Sequence, residues 1–99
     1  MKKYIIAAAI MIGSTIAAQA QTTGYICNDN TFLSNVRSGP SAQNYPVIDK
    51  IGNNYRVLIL DTTQNASGFI WAKIRYDSMR YGRPTVESGR IDGGNVCYY

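Results

Sequence analysis

The stretch "SNVRSGPSAQNYPVI", Ser34 to Ile48, decides how this chain is read. Apolar character ends at Val36, the turn cluster Arg37-Ser38-Gly39-Pro40-Ser41 follows, and Tyr45-Pro46-Val47-Ile48 opens a second apolar run. Gly39 permits backbone angles that other residues resist, and Pro40 presets the next one. The chain is therefore expected to bury Val36, swing out as an exposed loop and re-enter the core through Val47 and Ile48. Within that loop, Arg37 and Ser38 read first as anchoring hydrogen-bonding groups and second as ligand contacts.

Upstream, Met1-Lys2-Lys3 is a short positive head before the apolar run Tyr4 to Gly13, and Ala18-Gln19-Ala20 offers small residues where a signal peptidase cuts. Residues 1–20 read as a secretory signal peptide and 21–99 as a single domain. The apolar run is interrupted by Gly13-Ser14-Thr15 and is shorter than the ~20 residues that span a bilayer, so no membrane anchor is expected after cleavage. Cys27 follows bulky Ile26, which argues against lipid attachment. Two of the ten basic residues, Lys2 and Lys3, fall in the leader; eight basic against six acidic residues leave a net charge of +2. So mild a charge makes no case for nucleic acid. The two cysteines, Cys27 and Cys97, both lie in the exported part, and in an oxidising compartment such a pair reads as a disulfide. Free thiols or a metal pair is the rival reading, with no metal-motif spacing and no histidine behind it.

Working outward, "YRVLILDTT" carries a continuous apolar run, Val57 to Leu60, that reads as a strand covered on both faces. "FIWAKIRY" alternates as a half-buried strand, with Phe69, Trp71 and Lys73 on one side and Ile70, Ala72 and Ile74 on the other. Asp77 to Ser88, "DSMRYGRPTVES", contains Gly82 and Pro84 and reads as a long hairpin or a loop insertion. Residues 21–30 read as a polar lead-in held down by the disulfide. Short strands punctuated every eight to twelve residues indicate a small barrel or sandwich.

In order, Asn35-Val36-Arg37-Ser38-Gly39-Pro40-Ser41, Tyr45-Pro46-Val47-Ile48, Val57-Leu58-Ile59, Trp71-Ala72-Lys73-Ile74 and Gly89-Arg90-Ile91 resemble the bacterial SH3 (SH3b) domain family from about Leu33 to Val96. The resemblance implies an all-β fold, a small SH3-like barrel of about five short strands. It also implies peptidoglycan as the first ligand, since relatives often accompany cell-wall hydrolases. Three departures stand out. Ser34 occupies a position where the family has a large apolar residue, so Phe32 or Leu33 is expected to supply the volume through a shifted strand or bulge. Arg90 replaces a tryptophan, and the hairpin before it is longer than usual.

Chemistry-bearing constellations are few. Without histidine, a serine or cysteine nucleophile lacks its ordinary base. Asp49, Asp61, Asp77, Glu87 and Asp92 can in principle pair as glycosidase carboxylates, but read better as solvated turn residues. Asn28-Asp29-Asn30 lacks the glycine and distal glutamate of a calcium loop, and Asn65-Ala66-Ser67 is a formal glycosylation triplet. No cofactor is implied. The feature with binding character is "IRYDSMRYGRP", where arginines interleave with tyrosines, the residue types that anchor interfaces. The candidate binding residues are Tyr76, Arg80, Tyr81, Arg83, Arg90 and Tyr45; the competing reading is an edge hairpin whose arginines keep it soluble. The sequence thus describes a periplasmic or secreted, non-enzymatic module that binds peptidoglycan or its peptides. The alternative is an inhibitor or immunity protein that blocks an envelope hydrolase or toxin.

Overall fold

A computed structural model describes residues 22–99; the leader read over 1–20 lies outside the described residues. Seven strands form one antiparallel sheet: β1 (Thr22–Ile26), β2 (Leu33–Arg37), β3 (Val47–Gly52), β4 (Arg56–Gln64), β5 (Ile70–Arg80), β6 (Arg83–Asp92) and β7 (Val96–Tyr98). A single 3-10 turn, Gly93–Asn95, separates β6 from β7 and is capped by Asp92, whose carboxylate accepts the Gly94 N–H at 2.9 Å. The spatial order is β3-β2-β6-β5-β4-β1-β7.

The fold is all-β as expected, with seven strands rather than about five. One misread segment and one that had two readings account for the difference. The polar lead-in is β1, which pairs with β4 on one side and β7 on the other. Of the two readings of Asp77 to Ser88, the long hairpin holds and the loop insertion does not: ten consecutive pairs run from Trp71↔Asp92 to Arg80↔Arg83.

The sheet curls so that one face closes on a cluster of Ile26, Val36, Ile51, Val57, Ile59, Ala72, Ile74, Tyr76, Ile91 and Val96. The central strands show the period of two: in β4 Val57 and Ile59 are buried while Leu58 and Leu60 are half-buried, and in β5 Ala72, Ile74 and Tyr76 turn inward together. Backbone hydrogen bonds draw the β3–β4 turn onto β1, with Asn54 donating to Ile26 at 2.8 Å and Ile26 to Tyr55 at 3.0 Å.

The opening stretch behaves differently from its reading at three places. Val36 is fully buried, but Val47 and Ile48 are exposed, and Ile51 enters the core instead. The register explains this: Val36 pairs with Asp49 and Arg37 with Val47, so Ile48 is the extra residue of a β-bulge, and such an insertion changes which face each neighbour presents. Gly39 does not adopt a positive φ. Its lack of a side chain matters for space, because a Cβ there would lie 2.4 Å from the Tyr45 ring. Finally, neither Phe32 nor Leu33 fills the gap at Ser34, since both are exposed. Phe32 lies against Gly52, where a Cβ would sit 2.5 Å from its ring, and buried Ser34 accepts a hydrogen bond from the Asn28 amide at 3.1 Å.

Cys27 and Cys97 form a disulfide across 70 residues of sequence, with Cα atoms 5.9 Å apart. It adjoins the β1–β7 pair Tyr25↔Cys97 and joins the two ends of the described chain. Among the described residues no helix is long and apolar enough to cross a membrane.

Candidate functional site

The β5–β6 hairpin turns through Tyr81 and Gly82, both at positive φ, 53° and 76°. Two positive values in a two-residue loop match the right-handed twist of the flanking strands. Gly82 meets that requirement freely, whereas Tyr81 holds it with its side chain fully exposed. The hairpin outruns its neighbours: β4 pairs with β5 only as far as Arg75, and β2 meets β6 only at Arg90. Residues 77–88 thus have no ladder partner outside the hairpin. Pro84 is tolerated there because its nitrogen lies on the side of β6 away from β5, where no ladder bond is lost.

Along its inner face, from Tyr76 to the closing pair at Arg80, the hairpin carries a polar knot. Asp49 of β3 accepts a hydrogen bond from the Tyr76 hydroxyl at 2.6 Å and from Arg80 Nη2 at 2.8 Å, and Arg80 Nε donates to Glu87 at 3.1 Å. In the sheet order β3 is an edge strand and β5 is central, so this contact crosses the curled face instead of following the ladder. Nearby, the Tyr55 hydroxyl donates to the Asp77 carbonyl, and the Tyr55 and Tyr76 rings meet edge to face at 6.1 Å. Tyr76 and Arg80 therefore fix the hairpin to the body, while Tyr81 and Arg83 stand at its exposed end.

Burial, then the bond to Asp49 and its negative charge, push the Tyr76 phenol well above the usual tyrosine range. A folded-state value above the unfolded one, about 10, means that folded protein retains the proton that unfolded protein loses. Stability from this group is fully present below pH ~10 and declines as pH rises past it. Urea unfolding between pH 8 and 11 should show a steeper alkaline loss for wild type than for Tyr76→Phe. That variant should also be less stable by about 1.5–3 kcal/mol at neutral pH, the usual worth of a hydrogen bond to a charged group. Parallel alkaline profiles would contradict this assignment.

The remaining candidates separate in space. Arg90 pairs across the ladder with Lys73 on one side and Arg37 on the other. Tyr45 packs its ring over Gly39, and its carbonyl accepts Arg37 Nη1 at 2.8 Å. Arg37 is thus the loop anchor it was read to be. The first loop is held further by the Asn65 amide, which donates to the Pro40 carbonyl at 3.0 Å.

An open groove of about 860 Å³ lies where β4 begins and β5 continues, opening to the outer face and reaching in to Tyr55, Val57 and Tyr76. Thr23, Leu58, Arg75, Arg56, Asp77 and Val86 line it. Arg56 and Arg75 are exposed and make no ion pair with a described residue. Beside it, a smaller hollow of about 430 Å³ is lined by Tyr25, Asn54, Tyr98 and Tyr99, with the Tyr25 and Tyr99 rings 5.0 Å apart. Sequence reasoning passed over Tyr55 and Arg56, took Arg75 only as one of the hairpin arginines, and read Asp49 as a solvated turn residue. Asp49 looked like a turn residue because the bulge that places it on the inner face has no local signature. The two arginines come from separate strands and converge only through the β4–β5 register.

No protein-family model, curated protein or solved structure matches this chain.

Proposed function

We propose that this protein is an exported, non-enzymatic binding module of the cell envelope, built as a variant of the SH3b-like barrel, and that the distal β5–β6 hairpin contacts a protein partner. The carrying observation is the composition of the hairpin's outer side and tip, away from the polar knot on its inner side. Met79, Tyr81 and Val86 are 65%, 100% and 63% exposed, and Arg83 stands beside Tyr81 at the tip. Aromatic, methionine and arginine side chains on a projecting, internally tied element are the residue types that anchor protein interfaces. An envelope hydrolase or toxin blocked by the inserted hairpin is the partner class that fits. Peptidoglycan peptides are the second reading, supported by the free guanidiniums of the outer groove, which suit carboxylates.

Mature protein should be incubated separately with purified sacculi and with envelope extract, as wild type and as the Met79→Ser, Tyr81→Ser double variant. A protein retained by wild type and released by the double variant supports the first reading. Retention on sacculi that survives the double variant supports the second. At a true anchor, truncation costs about 2 kcal/mol or more, some thirtyfold in affinity, and these exposed positions should leave the melting temperature nearly unchanged.

A further inference from the structure

The outer groove is the end of a vacant strand position. The two-residue loop makes Arg80 and Arg83 the hydrogen-bonded pair that closes the hairpin. Even-numbered residues of β5 therefore turn their backbone groups toward β6, and odd-numbered ones toward β4. β4 supplies partners only up to Leu58↔Arg75. Past that point the Asp77 carbonyl is taken by the Tyr55 hydroxyl, whereas the Asp77 N–H and both backbone groups of Met79 face a lane with no strand in it. An unpaired edge of this kind accepts an added strand.

What occupies the lane is set by charge at its closed end. Arg75 and Leu58 are cross-strand partners on the outer face, and Arg56, two residues before Leu58, is on the same face. This diagonal places the two cationic residues roughly 7–8 Å apart, somewhat less at Cβ, with no carboxylate in salt-bridge reach of either. Asp77 shares the groove and leaves it net positive. We infer that this lane binds the C-terminal end of an extended polypeptide, running antiparallel to β5 so that its terminal carboxylate lies between Arg56 and Arg75. The parallel orientation would put an N-terminal ammonium against two guanidiniums. Upstream residues of the antiparallel chain run toward the hairpin tip, where nothing among the described residues closes the lane. The groove therefore admits the tail of a longer protein. This inference needs the protein to be a binder, but not the hairpin-tip contact proposed above.

The test uses ¹⁵N-labelled mature protein titrated with an equimolar mixture of N-acetylated tetrapeptides, as free acids and as C-terminal amides. The free acids should shift the Asp77 and Met79 amide resonances, and the amides should bind roughly tenfold more weakly, as loss of a charge-assisted bond implies. Arg56→Gln and Arg75→Gln should each weaken the free acids while leaving the melting temperature unchanged, and added salt should reduce binding. An eight-residue extension at the peptide N-terminus should be tolerated. Equal binding of acids and amides, shifts confined to other strands, or loss of binding on N-terminal extension would each overturn the inference. Met79→Ser, Tyr81→Ser keeps the lane's backbone groups, so it should still bind the free acids even if it releases every envelope partner.

Discussion

Loss of the Cys27–Cys97 disulfide should lower unfolding stability by about 2–5 kcal/mol. Typical domains have only about 5–15 kcal/mol in total, and a small one sits low in that range, so the loss can approach the whole. The effect is large because the bridge closes a 70-residue loop, for which chain entropy gives about 4 kcal/mol before strain and residual denatured structure are discounted. Both sulfurs belong to nearly inaccessible residues, Cys27 at 3% and Cys97 at 0% exposure. Thiol reagents should therefore find nothing in folded protein, and dithiothreitol should act only on molecules that have opened. Urea unfolding of oxidised and pre-reduced protein measures the difference. Two thiols labelled in non-reduced, denatured protein would contradict the bridge.

Trp71→Ala should cost roughly 3–5 kcal/mol, a shift of about 4–8 °C per kcal/mol in a domain of this size. Trp71 is 6% exposed but belongs to the outer-facing set of β5, opposite Ala72 and Ile74, and its ladder partners are Thr63 and Asp92. Its burial is separate from the main cluster. Circular dichroism is the right probe, because the chain has one tryptophan and the substitution removes the fluorophore. Trp71→Phe should recover most of the loss. A Trp71→Ala protein that melts normally would mean that the ring is held for contact rather than for packing.

Local periodicity carried much of the fold. The alternation in "FIWAKIRY" puts Ile70, Ala72 and Ile74 on one side, and that side faces the core, with Ile70 only partly buried; the buried pair Val57 and Ile59 follows from the preceding apolar run. Cys27 and Cys97 were legible because an even pair in a chain that reads as exported has few other uses. What failed was information that resides in pairing. The β1 residues "TTGYI" carry little apolar signal, and they form a strand because β4 and β7 supply partners on both sides. Gly82 and Pro84 mark a loop by composition, yet one sits in the tight turn and the other on an edge that needs no N–H. The bulge at Ile48 reassigned Val47, Ile48 and Asp49 between faces, which hid the polar knot altogether. Of the candidate residues, Tyr81 and Arg83 stand free at the tip, whereas Tyr76 and Arg80 are engaged with Asp49. Sequence spacing alone cannot separate these pairs, because the partner comes from a strand 27 and 31 residues away.

The ten-pair ladder between β5 and β6 also sets an order of events during folding. Its contacts are local in sequence and its turn is short, so it can zip up within about 1–10 μs. The β1–β4 and β1–β7 pairings require the chain to close on itself over much longer separations, which is slower. Cys27 and Cys97 come within bonding distance only once β1 has docked beside β7. Oxidation is thus a late checkpoint, and the rate at which thiols disappear from refolding chains would time the last step of folding.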